Sequence, residues 1–316
     1  MKITDLTFHL PRKLIPQQFS KSVPKLMIVN EGKISHKSLY DLSECLSAGD
    51  ILIFNDTKVI PTRLWGRRSS GGEVEVDLIT QIKNGLWAAM LRSDNRFKSG
   101  ESIHFSRDFK AKLLSKDRFG RWLIQFCFNG KFLNLLKHYG SINQPFYLSR
   151  EVKLNAYQTA YARSEGSAQP PTAGFYFSKS FLDGLKNKGV GIDFITLHIG
   201  GSILSFNIED SKELRIEKEW CNISGRAAIG INAARLRGKR IIAVGTSVVR
   251  TLESAADKSG FLRAYQGFTG LTIGPNHRFR AIDGFLTNFH QPASSHLVLT
   301  SSFLGTGSDI LSVYKE

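Results

Sequence analysis

The chain has 316 residues, of which 41% are hydrophobic, and this is enough for two domains or for one large domain with an inserted module. Lysine and arginine number 43 against 27 acidic residues. The resulting charge of +16 indicates a polyanion partner, most often a nucleic acid, although a generally basic and well-solvated surface is the alternative. The three cysteines lack metal-ligand spacing, so no metal site is predicted.

The sequence also lacks the patterns of exported or membrane-spanning proteins. The first residues contain no uninterrupted apolar segment of the signal-peptide type, and no run of 18 apolar residues occurs. We therefore expect no membrane span and a location in the reducing cytoplasm. A monomer is expected, with an oligomer left open.

The first 60 residues are predicted to alternate short strands with turns. Residues 25–30 and 49–56 have the composition of strands, and residues 36–46 have apolar positions at helical spacing. From about residue 64 to 143 the pattern changes to short alternating segments separated by turn residues: GEVEVDLIT, LWAAMLR, SIHF, FKAKLLS and RWLIQFCF. These five strands, with little helical signal, favour a small antiparallel barrel or sandwich.

After residue 147 the pattern is that of a mixed α/β domain. Residues 179–190 and 225–238 are predicted as helices, 192–199 and 281–290 as strands, and 239–256 as a strand, a turn and a helix. The predicted fold class is therefore α/β (α+β), with an inserted antiparallel β-barrel domain. We place the α/β domain at residues 1–62 and 145–316 and the barrel at residues 63–144.

The segment IIAVGTSVVRTLES carries the sharpest local signal of a binding site. An apolar strand runs into Gly245, and Thr246 and Ser247 are candidate caps for the helix that follows. Free N–H groups at such a helix start can hold an anion. Arg250 lies in the first turn, where a paired carboxylate or phosphate would explain a cation. A capped helix with a solvated arginine is the alternative.

Two further segments combine glycines with polar or aromatic groups. In PPTAGFYF, Pro171 and Gly174 predict a turn that exposes the hydroxyl of Thr172, and the aromatic residues that follow can stack on a base or fill the core. In TLHIGGSILSF, Gly200 and Gly201 permit close approach of a ligand to the backbone. His198 precedes them on an apolar strand, where a buried histidine with satisfied hydrogen bonds is the alternative.

The segment FNDTKVIPTRLWG places Asn55, Asp56 and Thr57 directly after a strand, with Lys58 and Arg63 beyond. An ordinary turn is the alternative, but polar groups at the junction of two modules favour a ligand cleft.

Residues 285–296, FLTNFHQPASSH, place many hydrogen-bonding groups beside apolar runs. We expect Asn288 and His290 to face a ligand and Phe289 to be anchored in the core. Ser294 and its neighbours are expected to cap the following turn or helix.

In their order along the chain, eight segments resemble one family: GDILIFNDTKVIPTRLWG, GGEVEV, YQTAYA, PPTAGFYF, TLHIGG, AVGTSVVRTLES, FRAIDGFLTNFHQPASSHL and SSFLG. The chain is identified as a divergent member of the S-adenosylmethionine:tRNA ribosyltransferase-isomerase family of queuosine biosynthesis. The resemblance extends from about Phe8 to Phe303 and implies an α/β domain with an inserted β-barrel.

The resemblance also implies a reaction. S-adenosylmethionine, a co-substrate, gives its ribosyl group to the aminomethyl nitrogen of a 7-deazaguanine base in tRNA. Adenine and methionine leave, and the product is epoxyqueuosine-tRNA. The reaction needs a base for a C5′ proton, a donor to adenine and a dry site, and it needs no prosthetic group or metal.

Several family positions are altered in this chain. Tyr176 stands where the family has a histidine, Glu217 replaces another, and Asn276 stands where a Pro-Gly turn is expected. A phenol or a carboxylate does not replace an imidazole that titrates near neutrality. Two alternatives therefore stay open: a divergent relative that binds RNA without catalysis, and an enzyme that acts on a small nucleoside.

The predicted site has three groups of residues. The candidates for catalysis are His290, Asp56 and His198, of which His290 or Asp56 would transfer protons. The candidates for substrate binding are Asn55, Thr57, Arg63, Thr172, Gly174, Tyr176, Gly200, Gly201, Thr246, Ser247, Arg250 and Asn288. In this interpretation Thr246, Ser247 and Arg250 hold a carboxylate or phosphate, and Phe175 and Tyr176 stack on a base. The candidates for tRNA binding are Lys58, Arg67, Arg278 and Arg280.

Overall fold

The computed structural model describes residues 3–15, 17, 23–145, 148, 152–200, 216–305 and 307–316. The strands are β1 (Lys25–Asn30), β2 (Lys33–Ser38), β3 (Ile51–Asn55), β4 (Thr57–Val59), β5 (Arg63–Arg68), β6 (Glu73–Lys83), β7 (Leu86–Arg92), β8 (Ser102–His104), β9 (Lys110–Lys116), β10 (Trp122–Cys127), β11 (Gly140–Ser141), β12 (Ser164–Ser167), β13 (Gly191–Leu197), β14 (Glu219–Ile223), β15 (Ile241–Val244), β16 (Tyr265–Thr269) and β17 (Gly284–Leu286).

The α-helices are α1 (Phe132–Tyr139), α2 (Lys179–Asn187), α3 (Gly225–Leu236), α4 (Thr246–Ala255), α5 (Ser295–Leu304) and α6 (Gly307–Val313). Short 3-10 helices span Ile3–Leu6, Arg12–Leu14, Leu39–Glu44 and Thr172–Gly174.

A six-stranded mixed sheet forms the centre of the larger unit, in the order β16-β14-β13-β3-β15-β17. The four strands from β13 to β17 in that order are parallel, whereas β14 pairs antiparallel with both β13 and the edge strand β16. Every residue of the central strand β3, ILIFN, is buried. A continuous apolar run of this kind is what a parallel strand needs when both faces of the sheet are covered.

Helices cover the sheet on both faces. The apolar residues of α2 pack with Leu52 and Phe54 of β3, while α3 and α4 pack with Ile51 and Ile53 on the other face. After β3 the chain passes through the barrel and returns in α2 on one face of the sheet, whereas after β15 it enters α4 directly on the opposite face. The crevice between β3 and β15 is therefore a switch point of the topology, where open α/β sheets bind ligands.

The second unit is a closed antiparallel barrel. Six strands follow the order β5-β6-β7-β10-β9-β8, and pairing of β5 with β8 closes the ring. Gly66 permits the closure, because a Cβ at that position would lie 2.6 Å from Cγ2 of Ile103. The predicted fold class, an α/β domain with an inserted antiparallel barrel, is confirmed.

The barrel differs from the sequence prediction in two elements. The sixth strand, β5, was missed because its sequence RLWGRR carries three arginines and a glycine, a weak strand pattern. The helix α1 was missed as well, because its eight residues give only two turns of periodicity. The parallel pair β4 and β12 lies where the chain enters and leaves the barrel. We propose the limits of the inserted domain as residues 63 and 144.

The C-terminal region also differs from expectation. Residues 281–290 were predicted as one strand, but the regular pairing covers only β17, and residues 287–290 form a loop. Residues 36–46 contain the end of β2 and a 3-10 helix instead of an α-helix. Within the described residues, no helix is long and apolar enough to cross a membrane.

Candidate active site at the carboxyl edge of the six-stranded sheet

Polar residues follow all four parallel strands of the six-stranded sheet. We call these segments the carboxyl edge: 55–57 at the end of β3, 198–200 after β13, 245–247 after β15 and 287–290 after β17. Parallel strands end on the same side of a sheet, so segments far apart in the chain meet there. The structure thus brings most of the residues predicted for catalysis and substrate binding to one edge.

Asn55 ties three parts of the carboxyl edge together. Its buried Nδ2 donates to the carbonyl oxygen of Leu197 at 2.9 Å and to Oγ of Ser247 at 3.2 Å. Its Oδ1 accepts from the backbone N–H groups of Leu197, at 3.0 Å, and Thr57, at 3.1 Å. Since both ends of the amide have protein partners, Asn55 holds the neighbouring strands in position.

Asp56 is buried, with 5% of its surface exposed, and is ionically paired. Its Oδ2 accepts from Nη2 of Arg163 at 2.8 Å, and its Oδ1 accepts from Oγ1 of Thr196 at 2.6 Å. A buried carboxylate needs such partners to remain charged. Neither Arg163 nor Thr196 was among the predicted site residues. Thr196 precedes His198 by two strand positions, and this spacing places both on one face, a signal that was available.

His198 is held by three contacts. Its Nδ1 shares a hydrogen bond of 2.8 Å with Oγ1 of Thr57, and its ring stacks on Trp220 with centroids 4.9 Å apart. Nε2 faces Gly166, where a Cβ would lie only 2.5 Å away. Burial lowers the pKa of His198 to about 4, so the imidazole is neutral at physiological pH. Because Nδ1 is bound to Thr57 and Nε2 lies against the backbone of Gly166, both ring nitrogens face protein groups, which suits a positioning role.

Arg250 has its carboxylate partner within the protein. Its guanidinium, 7% exposed, binds Glu219 through Nη1 and donates from Nε to the carbonyl oxygen of Leu271 at 3.1 Å. The other carboxylate oxygen of Glu219 accepts from the backbone N–H of Gly200 at 2.9 Å. The pair therefore links α4 to the glycine at the end of β13. Gly201 lies outside the described residues.

The start of α4 lies against the segment that contains Thr172. Gly245 has φ 97°, and α4 begins without a side-chain cap. Asn288 Nδ2 donates to Oγ1 of Thr172 at 3.0 Å, which connects the loop after β17 to the PPTAGFYF segment. Gly174 is required by close packing, because a Cβ there would lie 1.9 Å from the hydroxyl of Tyr161.

The aromatic residues around Thr172 have different surroundings. Phe177 is fully buried, whereas Tyr176 is 45% exposed, and partial burial raises the pKa of its phenol. Phe289 is 62% exposed and contacts Tyr314 edge to face. The expectation that Phe289 is anchored in the core is therefore wrong, because the loop after β17 turns its ring outward.

His290 occupies a mostly buried position in the same loop. Its Nε2 shares a hydrogen bond of 3.0 Å with Oγ1 of Thr287, and its backbone N–H donates to the Tyr314 hydroxyl at 2.9 Å. Burial and the neighbouring imidazole of His296 lower the pKa of His290 to about 3. Tyr314 was missed by the sequence analysis. Ser294 caps α5 by accepting from the N–H of Leu297, as expected.

The cationic residues predicted to contact tRNA or substrate differ in how closely they are paired with acidic side chains of the protein. Arg63 belongs to the barrel, where its guanidinium binds Asp77 at 2.7 Å and Asn143 at 2.9 Å. Lys58 lies 3.3 Å from Glu165. Arg67 is exposed and pairs weakly with Glu73 at 3.4 Å.

The other two tRNA candidates, Arg278 and Arg280, are exposed. The backbone N–H of Arg280 donates to Glu253 of α4 at 3.1 Å, and His277, next to Arg278, lies 3.2 Å from the same carboxylate. Arg278 and Arg280 therefore belong to a surface at the end of α4, whereas Arg67 belongs to the barrel.

Among the residues that the structure describes, no group of three or more histidine, cysteine or acidic side chains could hold a metal ion. One cavity of about 410 Å³, lined by Trp87, Phe128 and Lys131 among others, reaches Gly166 from the barrel side. Gly166 thus lines this cavity and also lies against the ring of His198.

Comparison with known proteins gives the family. Residues 3–316 match the family model described as "Queuosine biosynthesis protein". The chain therefore belongs to this family. Curated relatives named S-adenosylmethionine:tRNA ribosyltransferase-isomerase include those of Desulforamulus reducens and Caldanaerobacter subterraneus, each 38% identical over 100% of this chain and over 95% and 94% of their own lengths.

A solved structure is similar as well. It is the crystal structure of S-adenosylmethionine tRNA ribosyltransferase from Thermotoga maritima, 27% identical, with a TM-score of 0.54 over 98% of this chain and 93% of that chain. The family membership expected from the eight sequence segments is confirmed.

Proposed function

We propose that the protein transfers and isomerises the ribosyl group of S-adenosylmethionine onto the aminomethyl-deazaguanine base of tRNA, giving epoxyqueuosine-tRNA. The observation that carries this proposal is the full-length similarity to curated enzymes of that name. The collected polar groups at the carboxyl edge support it, because this is where an α/β sheet binds ligands. S-adenosylmethionine is the co-substrate, and we propose no prosthetic group.

The proposed reaction begins with loss of a proton from C5′ of the ribosyl group, which the sulfonium acidifies. We assign the proton acceptor to His290, whose imidazole is neutral at physiological pH because of its low pKa. Asp56 is already bound to Arg163 and Thr196, so it is better placed to set the local charge than to transfer protons. His198 is assigned a positioning role beside Thr57.

Substrate contacts are assigned to the groups that surround these residues. Thr246 and Ser247 at the start of α4 would hold the methionine carboxylate. Arg250 would act through Glu219, which fixes the N–H of Gly200. Thr172 and Asn288 would bind the ribose or a base, and the exposed ring of Tyr176 would stack on a base, with Phe175 beside it.

A second candidate is RNA binding without catalysis, and the altered positions favour it. Glu217, in place of a family histidine, forms an ion pair with Arg121 of the barrel and is therefore not free to transfer protons. An enzyme acting on a small nucleoside is the remaining alternative. We further propose a cytoplasmic monomer, as tRNA modification requires access to tRNA.

The test is incubation with tRNA that carries the aminomethyl-deazaguanine and with ribosyl-labelled S-adenosylmethionine. We expect release of adenine and label in the tRNA. Binding of tRNA without release of adenine would favour the RNA-binding alternative. Transfer to a free base that is indifferent to tRNA would favour the small nucleoside.

A further inference from the structure

One outer face of the barrel carries a row of exposed cations. Along β9, KAKLLSK, the side chains of Ala111 and Leu113 point into the barrel core, while Lys110, Lys112 and Lys116 are exposed. Lys110 and Lys112 lie on the same side of one strand, about 7 Å apart. Two like charges at this spacing repel each other, and nothing in the packing of the barrel requires them.

The pairing of neighbouring strands extends this row. Lys110 lies opposite His104 of β8, and His104 lies opposite Arg67 of β5, so that cationic or titratable side chains occupy three adjacent strands. Trp65, two positions before Arg67 on β5, exposes 57% of its surface and lines a groove of about 450 Å³ with Arg67 and His104. We call Trp65, Arg67, His104, Lys110, Lys112 and Lys116 the basic barrel face.

The adjoining part of the barrel shows what a charge-compensated surface looks like. Arg63 of β5 and Arg92 of β7 pair with Glu75 and Asp77 of β6, which lies between them. The ion pairs within the part of the chain that the structure describes involve none of Lys110, Lys112 and Lys116. The charge of these lysines is therefore available to a partner.

A series of contacts joins the end of the basic barrel face to α4, the helix that begins at the carboxyl edge. Lys116 precedes the hairpin turn in which Asp117 and Arg121 pair, and Arg121 also binds Glu217 of the larger unit. The carbonyl oxygen of Glu217 lies 3.4 Å from Nη2 of Arg250. Glu217 therefore contacts both Arg121 of the barrel and Arg250 of α4. A chain-like polyanion lying along β9 would thus be led toward the residues assigned to catalysis.

We propose that the basic barrel face is a docking surface for the phosphate backbone of the tRNA substrate, with Trp65 stacking on an unpaired base. The inference rests on the proposed function for the identity of the RNA. Lysines that neutralise phosphates release bound counterions, and an exposed aromatic ring beside cations is a typical platform for a base. The surface is distinct from Lys58, Arg278 and Arg280, which the sequence suggested.

The test compares two double variants that remove the same charge. In Lys110→Ala/Lys112→Ala the change is on the basic barrel face, and in Lys25→Ala/Lys33→Ala it is on the exposed hairpin of β1 and β2. Binding to tRNA is measured by fluorescence anisotropy between 50 and 200 mM salt. We expect the first variant to lose tenfold or more in affinity and about 1.5 units of the salt slope. The hairpin variant should change affinity less than twofold.

Equal losses in both variants, or no loss in the first, would overturn the docking surface. Calorimetry with S-adenosylmethionine checks that each variant is folded, because neither pair of lysines lies at the carboxyl edge. Wild-type tRNA binding and adenine release are measured in parallel. If wild type releases adenine but the Lys110→Ala/Lys112→Ala variant binds tRNA normally, the docking surface fails and the proposed function stands. If wild type binds tRNA through these lysines but releases no adenine, the docking surface stands and the proposed function fails.

Trp65 offers a second readout that does not depend on charge. We expect tRNA to quench part of the tryptophan emission of wild type, and this part should be absent in Trp65→Phe, in which the other three tryptophans remain. Quenching of the same size in wild type and Trp65→Phe would exclude Trp65 from the interface.

Discussion

The carboxyl edge and the basic barrel face use polar side chains in opposite ways. Asn55 and Asp56 at the carboxyl edge, and Arg250 in α4 next to it, are buried and bonded to other protein groups. On the barrel face, Lys110 and Lys112 are exposed without an ion-pair partner among the described residues. Burial makes an unpaired polar group costly, whereas hydrated lysines cost little. Polar groups at the edge therefore fix geometry, and those on the barrel face remain free to bind.

The largest difference between the two regions should appear when one member of a buried pair is removed. Glu219→Ala leaves the guanidinium of Arg250 buried without its carboxylate and should lower the free energy of unfolding by about 3–5 kcal/mol. The exposed pair of Arg67 and Glu73 provides the control, and Glu73→Ala should cost less than about 1 kcal/mol. Urea unfolding measures both. Similar costs would mean that the two regions do not differ as described.

Removing the amide that ties the edge together should have the next largest effect. Asn55→Ala leaves buried backbone groups of Leu197 and Thr57 without their side-chain partner and should cost about 2–3 kcal/mol. Asn288→Ala, which removes the bond to Thr172 near the surface, should cost less than about 1 kcal/mol. Thermal unfolding of the two variants compares them. A smaller cost for Asn55→Ala than for Asn288→Ala would contradict the positioning role.

Lowering the pH should reduce the stability of the carboxyl edge before it affects the basic barrel face. His198 has a folded pKa of about 4, below that of an unfolded histidine near 6.5, so the unfolded chain binds the proton more readily. The free energy of unfolding should fall below pH 6.5, by at most about 1.4 kcal/mol per pH unit for this residue, until the folded pKa is reached. Urea unfolding at pH 7, 6 and 5 tests this. His198→Gln should flatten the dependence, and an unchanged slope would refute the assignment.

The smallest effect on stability is expected at the barrel face. Lys110→Ala should change the free energy of unfolding by less than about 0.5 kcal/mol, since the side chain is exposed and like-charged Lys112 lies beside it. A loss above 1 kcal/mol in urea unfolding would show that Lys110 supports the fold and would weaken the contrast with the carboxyl edge.

Elements with strong periodicity could be predicted from sequence, and partnerships between distant residues could not. The alternation in GEVEVDLIT gave a barrel strand because period two fits one buried face. The density of polar groups at strand ends pointed to the edge residues 55–57 and 287–290. However, Asn55 meets Ser247 across 192 positions, and Arg250 meets Glu219 only because β14 lies beside β13. Such contacts between distant residues depend on the order of the strands in the sheet, which the local sequence pattern does not determine.

The basic barrel face shows the same limit. The lysines of β9 are visible in the sequence KAKLLSK, but their alignment with His104 and Arg67 follows from closure of the barrel through β5. Two cations that the sequence favoured, Arg63 and Lys58, form ion pairs with Asp77 and Glu165, which lie on adjacent strands.

The most direct test of the carboxyl edge as a catalytic site is adenine release by His290→Ala in a single turnover with S-adenosylmethionine and the modified tRNA. We predict release at least 100-fold slower than in wild type, since loss of a positioned proton acceptor typically costs 10²–10⁴ in rate, with binding of both substrates retained. Between pH 8 and 5 the wild-type rate should show no loss from protonation of His290, because its pKa is about 3. Adenine release by His290→Ala at the wild-type rate would contradict the assignment.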